Sequence, residues 1–152
     1  MALCAVAGAE PPERLALARL CSRIENDWSG QETGLLDQLA SLYGQAGRAV
    51  RIDMRGPKLR PVELALAGHL LATLDSGASR SLAASGYNER RRECRHAAAA
   101  LGLESLRDAP AEALSRLPEP LRRRARHVLS ENERVDAAVA AIGRVDPAEV
   151  GR

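Results

Sequence analysis

Residues 25–44 read E-N-D-W-S-G-Q-E-T-G-L-L-D-Q-L-A-S-L-Y-G, and the rest of the chain is read outward from them. Two carboxylates, Glu25 and Asp37, stand either side of a turn, S-G-Q-E-T-G, whose glycines let backbone come close to a ligand. Upstream, Pro11-Pro12 is a helix opening. Leu17, Leu20, Cys21, Ile24 and Trp28 then recur at helical spacing and predict one buried stripe. Glu25 falls on that stripe, eight residues after Leu17 and four after Cys21. A carboxylate there is costly unless something pairs with it. Two readings follow: an edge glutamate reaching water or an arginine, or a metal ligand or a group supporting one. Downstream, the spacing predicts a helix capped by Thr33, stopped by Gly44 and burying Leu35, Leu36, Leu39, Leu42 and Tyr43. Asp37 points away from that arc, in the first turn, where the helix dipole favours negative charge. Periodicity alone makes it a helix-start acid.

From residue 47 the period changes to two. Val50, Ile52 and Met54 alternate with Arg51, Asp53 and Arg55, which predicts a half-buried strand with Asp53 on its solvent side. G-P-K breaks it, Val62, Leu64 and Leu66 begin a second strand, and H-L-L-A-T-L-D after Gly68 reads as a third. Short connections favour an antiparallel arrangement. A Ser/Gly-rich loop follows Asp75, and it lacks the P-loop pattern. A helix capped by Ser85 is expected to run to Leu101, with Tyr87, Cys94, Ala98 and Leu101 on one face. Asp108, Pro110 and Glu112 mark a short helix, and a long one spans about 121–142 with Leu121, Ala125, Val128, Val135, Val139 and Ile142 inward. The last seven residues, D-P-A-E-V-G-R, begin another element.

Composition narrows the function classes. At 152 residues, 45% hydrophobic and 28% charged, the chain is globular rather than disordered. With no Phe, two Tyr and one Trp, its core must be built from small aliphatic contacts, which suits helices. Net charge is only +2, and the arginine runs at 90–92 and 122–124 are interspersed with acids and lack an aromatic platform for bases. Solvated helix faces are the expectation, with no nucleic acid partner. Cys4, Cys21 and Cys94 form no C-x-x-C pair and read as reduced, packed thiols. His69, His96 and His127 are isolated, and no Ser-His-Asp or Cys-His grouping stands out. No apolar run approaches membrane-spanning length and the start has no basic n-region, so a cytoplasmic protein without membrane contact is expected.

The stretch at 25–44 resembles the galactokinase segment E-N-x-F-x-G-x-x-x-G-x-M-D-Q. The resemblance continues through A-V-R-I-D-M-R, then D-S-G-A-S-R-S-L-A-A-S-G-Y-N-E-R-R-R-E-C, then R-H-V-L-S-E-N-E-R-V. These four blocks come in galactokinase order across most of residues 23–135. Galactokinases are GHMP small-molecule kinases, and the resemblance implies their chemistry: ATP phosphorylates the 1-hydroxyl of D-galactose, with Mg2+. By the same resemblance Asp37 falls on the catalytic aspartate, Gly34 on a sugar-contacting backbone position, Tyr87 on the tyrosine against the sugar, and Glu25 on the glutamate associated with magnesium. A galactose-sensing homologue without catalysis, an N-acetylgalactosamine kinase and a wholly helical interaction module are the alternatives.

The family's R-x-N-L-x-G-E-H-x-D, G-L-S-S-S-A and G-G-G-x-G motifs do not occur in these 152 residues, and Ser79-Arg80 stands where many relatives have a basic residue followed by His. The implied picture is an internal portion of a galactokinase, an α+β piece of the GHMP fold. Residues 1–75 would close the N-terminal domain and 76–152 open the largely helical second one. Without the phosphate loop, these residues alone are expected to turn over little or no substrate.

Overall fold

A computed structural model describes residue 4 and residues 6–30, 32–77 and 86–151. Helix α1 (Arg14–Ser29) starts where Glu13 takes the amide protons of Leu15 and Ala16 on its carboxylate, at 2.8 and 2.9 Å. These two bonds satisfy donors that a helix start leaves open, and the Leu15 amide above all holds the Glu13 carboxyl below its ordinary range. Helix α2 (Leu36–Tyr43) packs on α1, with Ala18 and Leu39 completely buried and Ser22 nearly so.

The buried side of α1 is therefore its small residues, which lets α2 approach closely. The expected stripe faces the other way: Cys21 is exposed, Ile24 is 60% exposed and Trp28 92%. Period identifies an apolar face but not which face has a neighbour, and among the described residues nothing covers this one. Leu36 is exposed too, against expectation, because it stands at the open start of α2. Thr33 is not the cap of that helix. Leu35 holds the position, and the Thr33 hydroxyl donates instead to Asn26. Gly44 stops the helix as expected, for a steric reason: a Cβ there would lie 2.7 Å from the Ala40 carbonyl oxygen.

Strands β1 (Arg48–Asp53) and β2 (Lys58–Glu63) form an antiparallel hairpin, Arg48 opposite Glu63 and Asp53 opposite Lys58. Val50, Ile52, Leu59 and Val62 are half-buried, while Arg51 and Asp53 are exposed, as the alternation predicts. The sheet excludes the wholly helical alternative and makes the architecture α+β. The expected third strand is absent among the described residues. Residues 69–75 have no ladder, and Leu70 and Leu74 are 91% and 97% exposed. A period-two run becomes a strand only when a neighbour takes its amides and carbonyls.

Helix α3 (Tyr87–Ala100) is preceded by Gly86 in the left-handed region, while the expected cap Ser85, with Ser79 and Arg80, lies outside the described residues. Two 3-10 turns, Leu106–Asp108 and Ala111–Arg116, lead into helix α4 (Leu121–Gly143), and α5 (Pro147–Val150) follows. Pro110 caps the second turn, but Asp108 lies inside the first and its carboxylate turns to Arg55. The core of this half joins Ala97, Ala98, Leu106, Leu114, Leu117 and Ala125, with Cys94 packed at its edge. Alanine on both α3 and α4 lets the helices approach closely, which serves a core with no phenylalanine. Val135, expected inward, is 49% exposed because α4 there faces an open cleft beneath the hairpin.

Helices α3 and α4 end in the same motif. After α3, Leu103 N–H donates to Ala98 at 2.9 Å and Gly102 N–H to Ala99 at 3.0 Å, with Gly102 at φ 69°. After α4, Asp146 N–H donates to Ala141 and Val145 N–H to Ile142, both at 3.0 Å, with Val145 at φ 58°. No helix among the described residues is long and apolar enough to cross a membrane.

Candidate active site

The loop between α1 and α2 is held from two sides. From α1, Asn26 accepts the Thr33 amide at 2.9 Å and its hydroxyl at 2.6 Å, and donates to the Thr33 carbonyl at 3.2 Å. Ser22 donates to the carbonyl of Gly34 at 3.4 Å, which fixes the backbone just before Asp37. From α3, Asn88 donates to the Gly30 carbonyl at 3.1 Å and accepts the Glu32 amide at 3.0 Å. The Glu32 carboxylate meets Arg95 at 2.5 Å and Arg91 at 3.2 Å, and Arg91 also donates to the Glu32 carbonyl. The Arg95 bond, first of all, lowers the Glu32 carboxyl below its ordinary range. Part of the arginine run at 90–92 thus faces a specific acid rather than open solvent.

Both ends of this arrangement carry residues singled out from the sequence. Gly34 is in the clamped loop, and Tyr87, 39% exposed, begins α3 one residue before Asn88. Asp37 is exposed in the first turn of α2. Its neighbour Gln38 donates from Nε2 to Glu25 Oε2 at 2.6 Å, tying α2 to α1, while Gln38 Oε1 is buried with no hydrogen-bond partner among the described residues. Glu25 is exposed, so burial on an apolar stripe is not what distinguishes it. Two ties result: Glu25 is bonded to Gln38, next to Asp37, and Asn88, next to Tyr87, is bonded to Gly30 and Glu32 in the loop that carries Gly34. Asn26, Gln38, Glu32 and Asn88 were not singled out from the sequence. Their one signal was adjacency, since three of them directly follow Glu25, Asp37 and Tyr87.

A separate cleft of about 610 Å³ lies between the hairpin tip and α4, and none of Glu25, Gly34, Asp37 or Tyr87 lines it. Six of its lining charges pair internally: Arg51 with Asp136 at 2.5 Å, Arg107 with Asp53 at 2.6 Å, and Arg55 with Asp108. The Arg107 bond, then the Arg55 amide, pull the Asp53 carboxyl from 3.8 to about 2. Asp53 is exposed as expected, but it is an ion-pair partner as well as a solvent-side strand residue.

Among the described residues no three His, Cys, Asp or Glu side chains gather to hold a metal. Glu25 alone would fit a magnesium ion only as a single carboxylate ligand, with substrate phosphates supplying others. Magnesium is commonly bound that way, by one or two carboxylates and substrate phosphates.

No family model matches the chain. It is 42% identical over 145 residues to a galactokinase of Roseiflexus sp. (strain RS-1), covering 90% of this chain and 37% of that protein. A Mycobacterium tuberculosis (strain ATCC 25618 / H37Rv) galactokinase is 42% identical over 146 residues, covering 92% and 40%. A Thermotoga neapolitana galactokinase is 35% identical over 139 residues, covering 91% and 40%. Among solved structures, Lactococcus lactis galactokinase complexed with galactose superposes with a TM-score of 0.75 at 29% identity, covering 90% of this chain and 38% of that one. The chain spans about two-fifths of the length of the relatives it matches. Over nine-tenths of its own length the chain is similar, in sequence and in fold, to about two-fifths of a galactokinase.

Proposed function

We propose that this chain forms the galactose-binding and proton-accepting part of an ATP-dependent galactokinase of the GHMP type. The observation that carries the reading is the clamped loop, in which Gly30 and Glu32, just before Gly34 and Asp37, are bonded to Asn88 at the start of the Tyr87 helix. In this reading Gly34 presents backbone to the sugar and Tyr87 packs against it. Asp37 accepts a hydrogen bond from the 1-hydroxyl and takes its proton as the oxygen attacks the γ-phosphorus of ATP. The bond from the γ-phosphorus to the bridging oxygen breaks, leaving galactose 1-phosphate and ADP. Magnesium, when bound, neutralises phosphate charge, and Glu25 would be its ligand from this chain. Asp37 is exposed, which suits a group that must reach a substrate. We assign the reaction to the cytoplasm, where ATP is available.

The test is galactose titration of the 15N-labelled chain. Galactose is expected to shift the Gly34 and Tyr87 amide resonances, and Asp37→Asn to weaken binding by about tenfold, the equivalent of one charge-assisted hydrogen bond. No galactose-dependent shift at tens of millimolar sugar (~10–50 mM, the weak end of the affinity scale) would overturn the reading.

A further inference from the structure

We propose that Asn88 is a positioning residue for the sugar site. Its amide locks the Gly34 loop to the helix that begins with Tyr87, and Glu32 with Arg91 and Arg95 closes the same joint. The inference rests on the reading of Gly34 and Tyr87 as sugar contacts. Asn88 is half-buried, and both ends of its side chain are used on backbone, Nδ2 on the Gly30 carbonyl and Oδ1 on the Glu32 amide. A side-chain amide carries a donor and an acceptor side by side on a short stem, so the pair acts like a short piece of sheet between loop and helix.

The opposite side of the loop is fixed independently by Asn26 and Ser22. The loop is thus held in place between α1 and α3, and Asn88 decides its position relative to Tyr87 rather than whether it is ordered at all. The ion pairs beside it are about half exposed, so they weaken with salt, whereas the two neutral Asn88 bonds do not. That division assigns the geometry to Asn88 and the reinforcement to Glu32.

The experiment compares wild type, Asn88→Ala and Asn88→Asp in two readouts, with circular dichroism confirming that each variant is folded. Amide hydrogen exchange of Glu32, measured without sugar, is expected to accelerate about tenfold in N88A, the loss of one hydrogen bond. N88D keeps the acceptor and is expected to keep that protection while losing the bond to Gly30. Galactose affinity, followed by the Gly34 and Tyr87 resonances, is expected to fall by about fivefold to tenfold in N88A and less in N88D. Unchanged Glu32 exchange in N88A, or galactose affinity that stays level while exchange accelerates, would each overturn the proposal. A wild-type chain that gives no galactose shift overturns the sugar-site reading and the positioning role with it. The sugar-free exchange distinguishes that failure from failure of the joint itself, and N88D supplies the measurement if N88A does not fold.

Discussion

Arg107 and the Arg55 amide share the carboxylate of Asp53, and the consequence is a pH dependence with a definite sign. With its folded pKa near 2 and its ordinary value at 3.8, Asp53 stays ionised in the folded chain where the unfolded chain has begun to take up a proton. Its contribution is fully present above about pH 4 and disappears as pH falls towards about 2. Asp108, lowered by its bond to Arg55, acts in the same direction. Urea melts across that window should show wild type losing more stability than Arg107→Gln, and the difference should shrink in high salt because these groups are exposed. A second outcome belongs to the thiols. Burial pushes the Cys94 thiol up, whereas Cys21 is exposed, so a maleimide should label Cys21 well before Cys94 in the native chain. At this scale the sequence singles out its motif residues only through resemblance to a family, and period alone leaves Asp37 a helix-start acid. It did not disclose Asn88 or Glu32, because a polar contact between residues 56 apart leaves no periodic trace.

Helices α3 and α4 end in one motif with different residues at the left-handed position, and this predicts a gain of stability. Gly102 adopts φ 69° without strain, but Val145 holds φ 58° with a branched side chain. Such a conformation costs an L-residue roughly 1–2 kcal/mol. Val145 is 46% exposed, so Val145→Gly should forfeit little packing and raise the melting temperature by a few degrees. Leu117→Ala should do the reverse, costing about 2–5 kcal/mol, because Leu117 is completely enclosed. Leu36→Ala, at an exposed helix start, should stay within about 0.5 kcal/mol of wild type in the same melts. The elements themselves were legible: the hairpin from its alternation, α2 from its glycine stop, and α4 nearly to the residue. The inner face of α1 was not. Its contact surface is Ala18 and Ser22, which a hydrophobic pattern ranks below Leu20, Ile24 and Trp28. The third strand also failed, because a strand's period is local and its partner is not.

Across the whole molecule, the apolar core lies in α3, the 3-10 turns and α4, while the hairpin and loop reach that half through ion pairs and the Asn88 bonds. The exposed stripe of Ile24 and Trp28 on α1 and the exposed leucines at 70 and 74 leave apolar surface in water. The chain should therefore self-associate with rising concentration in sedimentation velocity, and Ile24→Glu with Trp28→Ser should suppress it. Trp28 is the one tryptophan, so its fluorescence should shift to the blue as association proceeds. A monomer over the whole concentration range, with unchanged emission, would show those faces to be tolerated singly.

The pairing of Arg51 with Asp136 has a further consequence for how the molecule is made. Eighty-five residues separate the two, and on a ribosome adding about 5–20 residues per second that is a wait on the order of 4–17 s. During it the hairpin and α1 are already in existence, at first without Asp108 for Arg55 or α3 to clamp the α1–α2 loop, and to the end without Asp136 for Arg51. The first half of this protein is thus a nascent client, with apolar surface and unneutralised hairpin arginines side by side, until α3 and α4 arrive.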